Sequence, residues 1–315
     1  MIYHVRHRTT LRYAAPVRLA RFNLRLKPAP WPGQWTSDHQ LSVDPAPAII
    51  ESRPAAWPVQ VARLVIESPI RELIIESRFR AGVQGGVIAP QPDDPVIASV
   101  ADAALANRDM GPAAPAHYLY ASARAPLLAQ IGAWAGATLA PDQPIVTAAL
   151  DLAQRIRAEF RYQAGVTDAG TPVADAFAAR HGVCQDFAHV MLVALRHAGL
   201  PAAYVSGYLR TLPPPGMPRL VGADAMHAWV MLWCGPTRGW IGFDPTNGCI
   251  AGEGHLFVAM GRDYADVAPM DGLFVGGAGQ SLSVSVDVAP EEETTPSRSP
   301  RTSASSPGAA APSGG

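Results

Sequence analysis

Alternation of polar and apolar side chains along the first ninety residues predicts β-structure. Between residues 3 and 13, buried-type residues alternate with Arg6, Arg8 and Arg12, and period-two alternation is typical of a strand with one buried face. Further strands are predicted at residues 20–26, 40–43, 59–67 and 73–80. Because clusters of Pro and Gly separate these short strands, we expect a β-rich, sandwich-like N-terminal domain over residues 1–90.

The chain changes to helical patterns after the β-rich region. Ala-rich stretches at residues 96–106 and 118–139 predict a helical connecting segment over residues 91–140. Pro144 then precedes a helix whose apolar residues recur at helical spacing as far as Phe160.

The clearest helix is predicted at residues 184–198, where Gly199 and Pro201 end the apolar periodicity. Strand patterns follow at residues 203–209, 225–234, 239–243 and 281–288. This mixture predicts an α+β core over residues 141–288. Residues 289–315 contain no large apolar side chain and are predicted to be a disordered tail.

Composition narrows the classes of function. Hydrophobic residues make up 48% of the chain and the formal net charge is −1, so a sizeable core is expected, without an electrostatic reason to bind nucleic acid or an anionic membrane. Three cysteines are too few for a disulfide framework or a zinc site, and an odd number fits a reducing compartment. With neither an apolar signal segment nor a long apolar span, the expectation is a soluble cytoplasmic protein.

Cys184 is the first candidate for chemistry. Gly182 permits a tight turn, and the helix is predicted to begin at or near Cys184. Free backbone N–H groups and the helix dipole at that end stabilise a thiolate. The backbone N–H of Cys184 is also close to any carbonyl that the sulfur attacks, so it is a candidate oxyanion donor.

His227 and Asp244 are predicted to form a pair across a β-hairpin. Two apolar runs flank a four-residue loop at 235–238. Pairing Cys234 with Gly239 sets Trp229 opposite Asp244 and puts His227 diagonal to that carboxylate, on the same face. A slip of one residue would separate them. The predicted register therefore gives the imidazole a carboxylate that fixes its tautomer.

The segments GVCQDFAH, SGYL, MHAWV and GWIGFDPTNG resemble the transglutaminase-like superfamily in its bacterial and archaeal branch. The opening YHVRHRTTLRYAAPVRLARFNLRLKP is similar to the β-rich N-terminal region of that branch, and the resemblance covers nearly all of residues 1–288. It implies a papain-like α+β catalytic core with a triad at Cys184, His227 and Asp244. Such enzymes form a thioester from an amide and pass the acyl group to an amine or to water. No cofactor or metal is expected, because the calcium used by some animal relatives has no loop signature here.

Several expectations remain open at this level. Tyr162 is a candidate side-chain oxyanion donor, and Gln185 and Trp229 are candidates to line the site, although core packing is the simpler interpretation of Trp229. The expected substrate is a peptide or protein amide, attacked by a cysteine protease or amidase; a transglutaminase with an amine acceptor and a non-catalytic binding scaffold are the alternatives. The physiological substrate and the oligomeric state stay undetermined.

Overall fold

The computed structural model describes residues 1–84, 86, 88–211, 225–276 and 279–291. Apart from its first three residues, the predicted tail lies outside these ranges, and Ala289 and Pro290 belong to a strand. No helix among the described residues has the length and apolar character needed to cross a membrane.

Six strands occupy the N-terminal part of the chain. They are β1 (Ile2–Val17), β2 (Leu19–Leu24), β3 (Gln34–Asp44), β4 (Ile49–Arg53), β5 (Val61–Ile66) and β6 (Ile70–Val83). The alternation in β1 is confirmed, because Val5 and Leu11 are buried while Arg6 and Arg12 are exposed.

Helices and short strands follow in the second part of the chain. The helices are α1 (Ile97–Ala106), α2 (Ala129–Ala135), α3 (Ile145–Glu159), α4 (Val173–Ala179), α5 (Cys184–His197) and α6 (Tyr264–Val267). The strands are β7 (Arg161–Tyr162), β8 (His181–Gly182), β9 (Ala202–Leu209), β10 (Ala225–Trp233), β11 (Trp240–Asp244), β12 (Cys249–Ile250), β13 (His255–Gly261), β14 (Met270–Val275) and β15 (Gln280–Pro290).

Two four-stranded antiparallel sheets form the sandwich, in the orders β15-β1-β6-β3 and β14-β2-β5-β4. Apolar side chains from both sheets meet between them, among them Leu11, Phe22, Leu64 and Ile75. The strand predicted at 281–288 as part of the α+β core is present as β15, but it pairs with β1 of the sandwich, and β14 pairs with β2. Alternation identifies a strand but does not identify its partner. In the structure the chain returns to the N-terminal sandwich after it completes the core.

The second part has one antiparallel sheet in the order β12-β11-β10-β9-β13, with α5 packed against β9 and β10. Every residue of α5 from Asp186 to Arg196 is buried. Arg196 is among them because its guanidinium donates to the carbonyl oxygens of Tyr118, Ala202 and Arg262, which satisfies the charge inside the core. Helix α5 is thus held inside the core of the second part of the chain.

The helix predicted at 118–139 is wrong over most of its length. Only α2 is an α-helix there, together with a short 3-10 turn at Pro115–Tyr118. Pro126 lies inside the predicted span and has no N–H to donate, so a continuous helix cannot pass through it. The domain boundaries at 90 and 140 stay a prediction.

Candidate active site

Cys184 is the first residue of α5, and a carboxylate fixes the backbone just before it. Asp186 accepts hydrogen bonds from the backbone N–H of Val183 at 2.8 Å and from the hydroxyl of Thr167 at 2.7 Å. A Cβ on Gly182 would come within 2.4 Å of the Asp186 carboxylate, so this close approach requires glycine. The half-buried Cys184 therefore sits at a helix start whose free N–H groups favour an anion.

His227 and Asp244 are in contact, as the hairpin register predicted. Val230 pairs with Phe243, and the backbone N–H of Cys234 donates to the oxygen of Gly239. This confirms the predicted register. His227 Nε2 lies 2.8 Å from Asp244 Oδ2, and the Asp244 side chain is fully buried.

The imidazole of His227 is adapted to carry a proton. Burial alone would lower the pKa of His227, but the hydrogen bond to Asp244 and the interaction with the Cys184 thiol outweigh burial and raise the pKa to about 10. Because Nε2 is bound to Asp244, Nδ1 is the nitrogen left for the sulfur. The indole of Trp229 stacks on this ring at 6.3 Å between centroids. The arrangement favours the imidazolium form of His227.

Asp244 has more partners than the sequence predicted. Its Oδ1 accepts the backbone N–H groups of Thr246 at 2.9 Å and Asn247 at 3.1 Å. Its Oδ2 accepts His227, the Asn247 side-chain amide at 2.6 Å, and Nε2 of His255 at 3.0 Å. Burial tends to raise the pKa of Asp244, but these donors outweigh burial and hold the pKa far below its usual value.

Sequence reasoning missed Asn247 and His255. Asn247 had a local signal, because Asp-Pro-Thr-Asn is a turn-forming sequence in which the first side chain bonds the backbone two and three residues later. His255 had none, because it is eleven residues beyond Asp244 and enters the site from β13.

His227, Asp244 and His255 also form the one set of side chains, among the described residues, that groups like metal ligands. Their ligand atoms lie within 4.8 Å of one another, and imidazole with carboxylate suits a divalent transition metal. However, the backbone N–H of Gly252 donates to His255 Nδ1 at 3.1 Å, which leaves the His255 proton on Nε2. Both histidines thus point N–H groups at Asp244, and the geometry is that of hydrogen bonding.

The three other candidate residues, Tyr162, Gln185 and Trp229, differ in their exposure and in their contacts. Tyr162 is 56% exposed and lies near the sulfur; partial burial first, and then Cys184, raise its pKa. Gln185 turns its amide toward the oxygen of Ala169 at 3.5 Å. Trp229 is buried behind His227, and its Nε1 has no hydrogen-bond partner among the described residues. Their roles stay a prediction.

Comparison with known proteins identifies the family of the chain. The profile described as the transglutaminase-like superfamily matches residues 132–245, and the bacterial transglutaminase-like N-terminal region matches residues 3–81. An uncharacterized protein of Mycobacterium tuberculosis is 35% identical over 299 residues, which cover 92% of this chain and 93% of the relative. The chain belongs to the transglutaminase-like superfamily. The matched transglutaminase-like range includes Cys184, His227 and Asp244 but ends before His255.

A solved structure has the same fold over nearly the whole chain. The crystal structure described as "a Putative Cysteine Protease from Cytophaga hutchinsonii" superposes with a TM-score of 0.72 at 22% identity, covering 93% of this chain and 92% of that one. A protein-glutamine gamma-glutamyltransferase of Pseudomonas aeruginosa is 44% identical over 71 residues, which are 22% of this chain and 10% of that protein. The predicted fold, a papain-like α+β core with an N-terminal sandwich, is thus confirmed.

Proposed function

We propose that the protein is a cysteine-dependent acyl-transfer enzyme that opens an amide through a thioester on Cys184. The main support is the buried His227–Asp244 pair. The imidazole of this pair interacts with the thiol of Cys184 at the N-terminus of α5. A buried imidazole held between a carboxylate and a thiol is suited to removing and returning a proton.

The first step forms a carbon–sulfur bond. The Cys184 thiolate attacks the amide carbonyl carbon, and the carbonyl oxygen takes the electron pair. The backbone N–H of Cys184 and the hydroxyl of Tyr162 are the proposed donors to this oxyanion. Tyr162 is 56% exposed, so a substrate can reach this side chain.

The second step breaks the carbon–nitrogen bond. The Nδ1–H of the His227 imidazolium protonates the leaving amine as the oxyanion collapses, which leaves a thioester and a neutral imidazole. An acceptor then attacks the thioester carbonyl, Nδ1 takes the proton of the acceptor, and the thiolate returns. Asp244 keeps the proton of Nε2 in place throughout, so Nδ1 remains free for each transfer.

Two acceptors are compatible with this site. With water the enzyme is a peptidase or amidase; with an amine it is a transglutaminase. Incubation with a glutamine-containing peptide and a labelled amine separates these alternatives. Peptide cleavage or ammonia release without incorporated label supports hydrolysis, which we favour since the Cytophaga hutchinsonii structure, which covers 93% of this chain, is described as a cysteine protease. Incorporation of the label supports the amine, the activity named for the Pseudomonas aeruginosa relative.

The central experiment is to trap the acyl-enzyme. Amide substrates are added at neutral pH, the reaction is quenched in acid, and peptides are mapped by mass spectrometry. The acyl group should be on Cys184 and should disappear in Cys184→Ala, while Cys249→Ala, which removes another half-buried thiol, should still be acylated. Adducts on Cys234 or Cys249 alone would contradict the mechanism. A native chain that reacts with no thiol-directed acyl probe would instead favour the non-catalytic scaffold.

A further inference from the structure

Asp244 lies between two imidazoles. His227 and His255 both bring Nε2 to the same oxygen, Oδ2, at 2.8 and 3.0 Å. The two rings are 6.1 Å apart between centroids, and each side chain is only 9% exposed. The oxygen that orients His227 is therefore shared with a second donor that the proposed mechanism does not use.

The tautomer of His255 is fixed by the backbone of Gly252. The N–H of Gly252 donates to His255 Nδ1, and the N–H of His255 donates to the oxygen of Gly252. A nitrogen that accepts a hydrogen bond carries no proton, so Nε2 bears the hydrogen that reaches Asp244. His255 thus acts toward Asp244 as a hydrogen-bond donor through Nε2.

We propose that His255 is a positioning residue that sets how strongly Asp244 holds the His227 imidazolium. By donating to Oδ2, His255 reduces the negative charge on the Asp244 oxygen that also binds His227. The carboxylate then stabilises the imidazolium without becoming basic enough to immobilise its proton. This inference rests on the proposed function but is tested without a substrate.

His227 and Asp244 have a defined set of charged and titratable neighbours. His227 meets Cys184 from α5, Asp244 from β11 and His255 from β13. Asp244 also acts on the thiol of Cys249 in β12, and Arg157 of α3 donates to the oxygen of Asn247 beside it. Among these groups, His255 and Asn247 are the side chains that share Asp244 with His227 through hydrogen bonds. Asn247 also donates its backbone N–H to Asp244, so a change at His255 alters one donor to the carboxylate without touching that turn.

The test follows alkylation of the full-length protein by iodoacetate as a function of pH, with the modified residue identified by peptide mass spectrometry. An imidazolium beside the thiolate attracts the anionic reagent, so the rate at Cys184 should fall at high pH when His227 loses its proton. His255→Phe keeps a ring of similar volume but offers no N–H. Asp244 becomes more basic without that donor and holds the imidazolium more tightly, so the high-pH limb should move up by about one pH unit. His255→Gln, whose amide can donate again, should return the limb toward the native position.

Controls separate positioning from a general loss of structure. His7→Phe removes another buried, hydrogen-bonded histidine, bound to Tyr208 and Thr9. It should lower thermal stability without moving the limb. A limb in His255→Phe that stays in place or moves down, or an equal shift in His7→Phe, would overturn the proposal. If the native chain gives no high-pH limb at all, the Cys184–His227 pair and the proposed function fail together, and that result is recognisable before any variant is made.

Discussion

Replacing Asp244 with asparagine tests the site most directly, since it removes a charge and changes little volume. The carboxylate accepts five hydrogen bonds, two at Oδ1 from backbone N–H groups and three at Oδ2. The asparagine carbonyl can keep the backbone donors of Thr246 and Asn247. Its NH2 group then faces the Nε2–H groups of His227 and His255, so donor meets donor.

Two magnitudes follow from this conflict. Breaking a buried charge-assisted network by removing one partner costs about 3–5 kcal/mol, and we expect the free energy of unfolding to fall by that amount. His227 can escape the conflict by moving its proton from Nε2 to Nδ1, where it would point at Cys184. A ring in that tautomer cannot take a proton from the sulfur, and an analogous change in a serine-based triad lowers kcat by about 10⁴-fold. We expect a loss of similar size in Asp244→Asn.

Chemical denaturation and the initial rate of amide turnover measure the two effects. The matched control is Asp94→Asn, because the Asp94 side chain is also fully buried and ion-paired, at 3.1 Å to Arg238, but outside the site. The control should lose stability and keep its rate per folded molecule. An Asp244→Asn protein that retains more than about a tenth of native kcat would refute the assignment of Asp244, because tautomer control would then be dispensable.

Further predictions concern pH and packing. Burial lowers the pKa of His7 and of His189 to about 4, so stability should be lost as the pH falls from 6.5 to 4, by about 3 kcal/mol for each histidine; a denaturation series without that slope would contradict their burial as neutral rings. The pKa of His227 is raised to about 10, so the stability difference between the native chain and His227→Gln should be largest below pH 6.5 and shrink toward pH 10. A difference that grows with pH would contradict the raised pKa. Gly242→Ala would place a Cβ 2.7 Å from that of Ala251 and should cost about 1–3 kcal/mol, whereas Gly252→Ala meets no atom within 4 Å and should be nearly neutral in thermal unfolding.

The parts of the site that were predictable from sequence depend on local geometry. The four-residue loop after Cys234 sets the hairpin register, and that register alone places His227 beside Asp244. The start of α5 at Cys184 follows from the apolar periodicity that begins there. In both cases the physical cause lies within about ten residues of the feature.

The parts that were not predictable depend on which strands become neighbours. The pairing of β14 with β2 and of β15 with β1 joins segments more than two hundred residues apart, and alternation carries no information about such partners. β1 shows the consequence on its single buried face. Tyr3 and Val5 pack with the catalytic core, while Leu11 and Tyr13 pack inside the sandwich. One periodic pattern thus serves two cores, which a pattern read from sequence cannot separate.

The burial of Asp244 explains why a triad argument identifies the pair but underestimates the site. A carboxylate with no exposed surface stays charged only if donors replace the water that it has lost. One histidine cannot do this, so a predicted buried triad carboxylate implies additional donors even before a structure exists. The turn after Asp244 supplies some of them and was discoverable from its sequence. The remaining donor comes from β13, which folds against the site and brings His255 to Asp244. His255 has no sequence signal of its own, but the need of a buried carboxylate for a further donor predicts that such a residue exists.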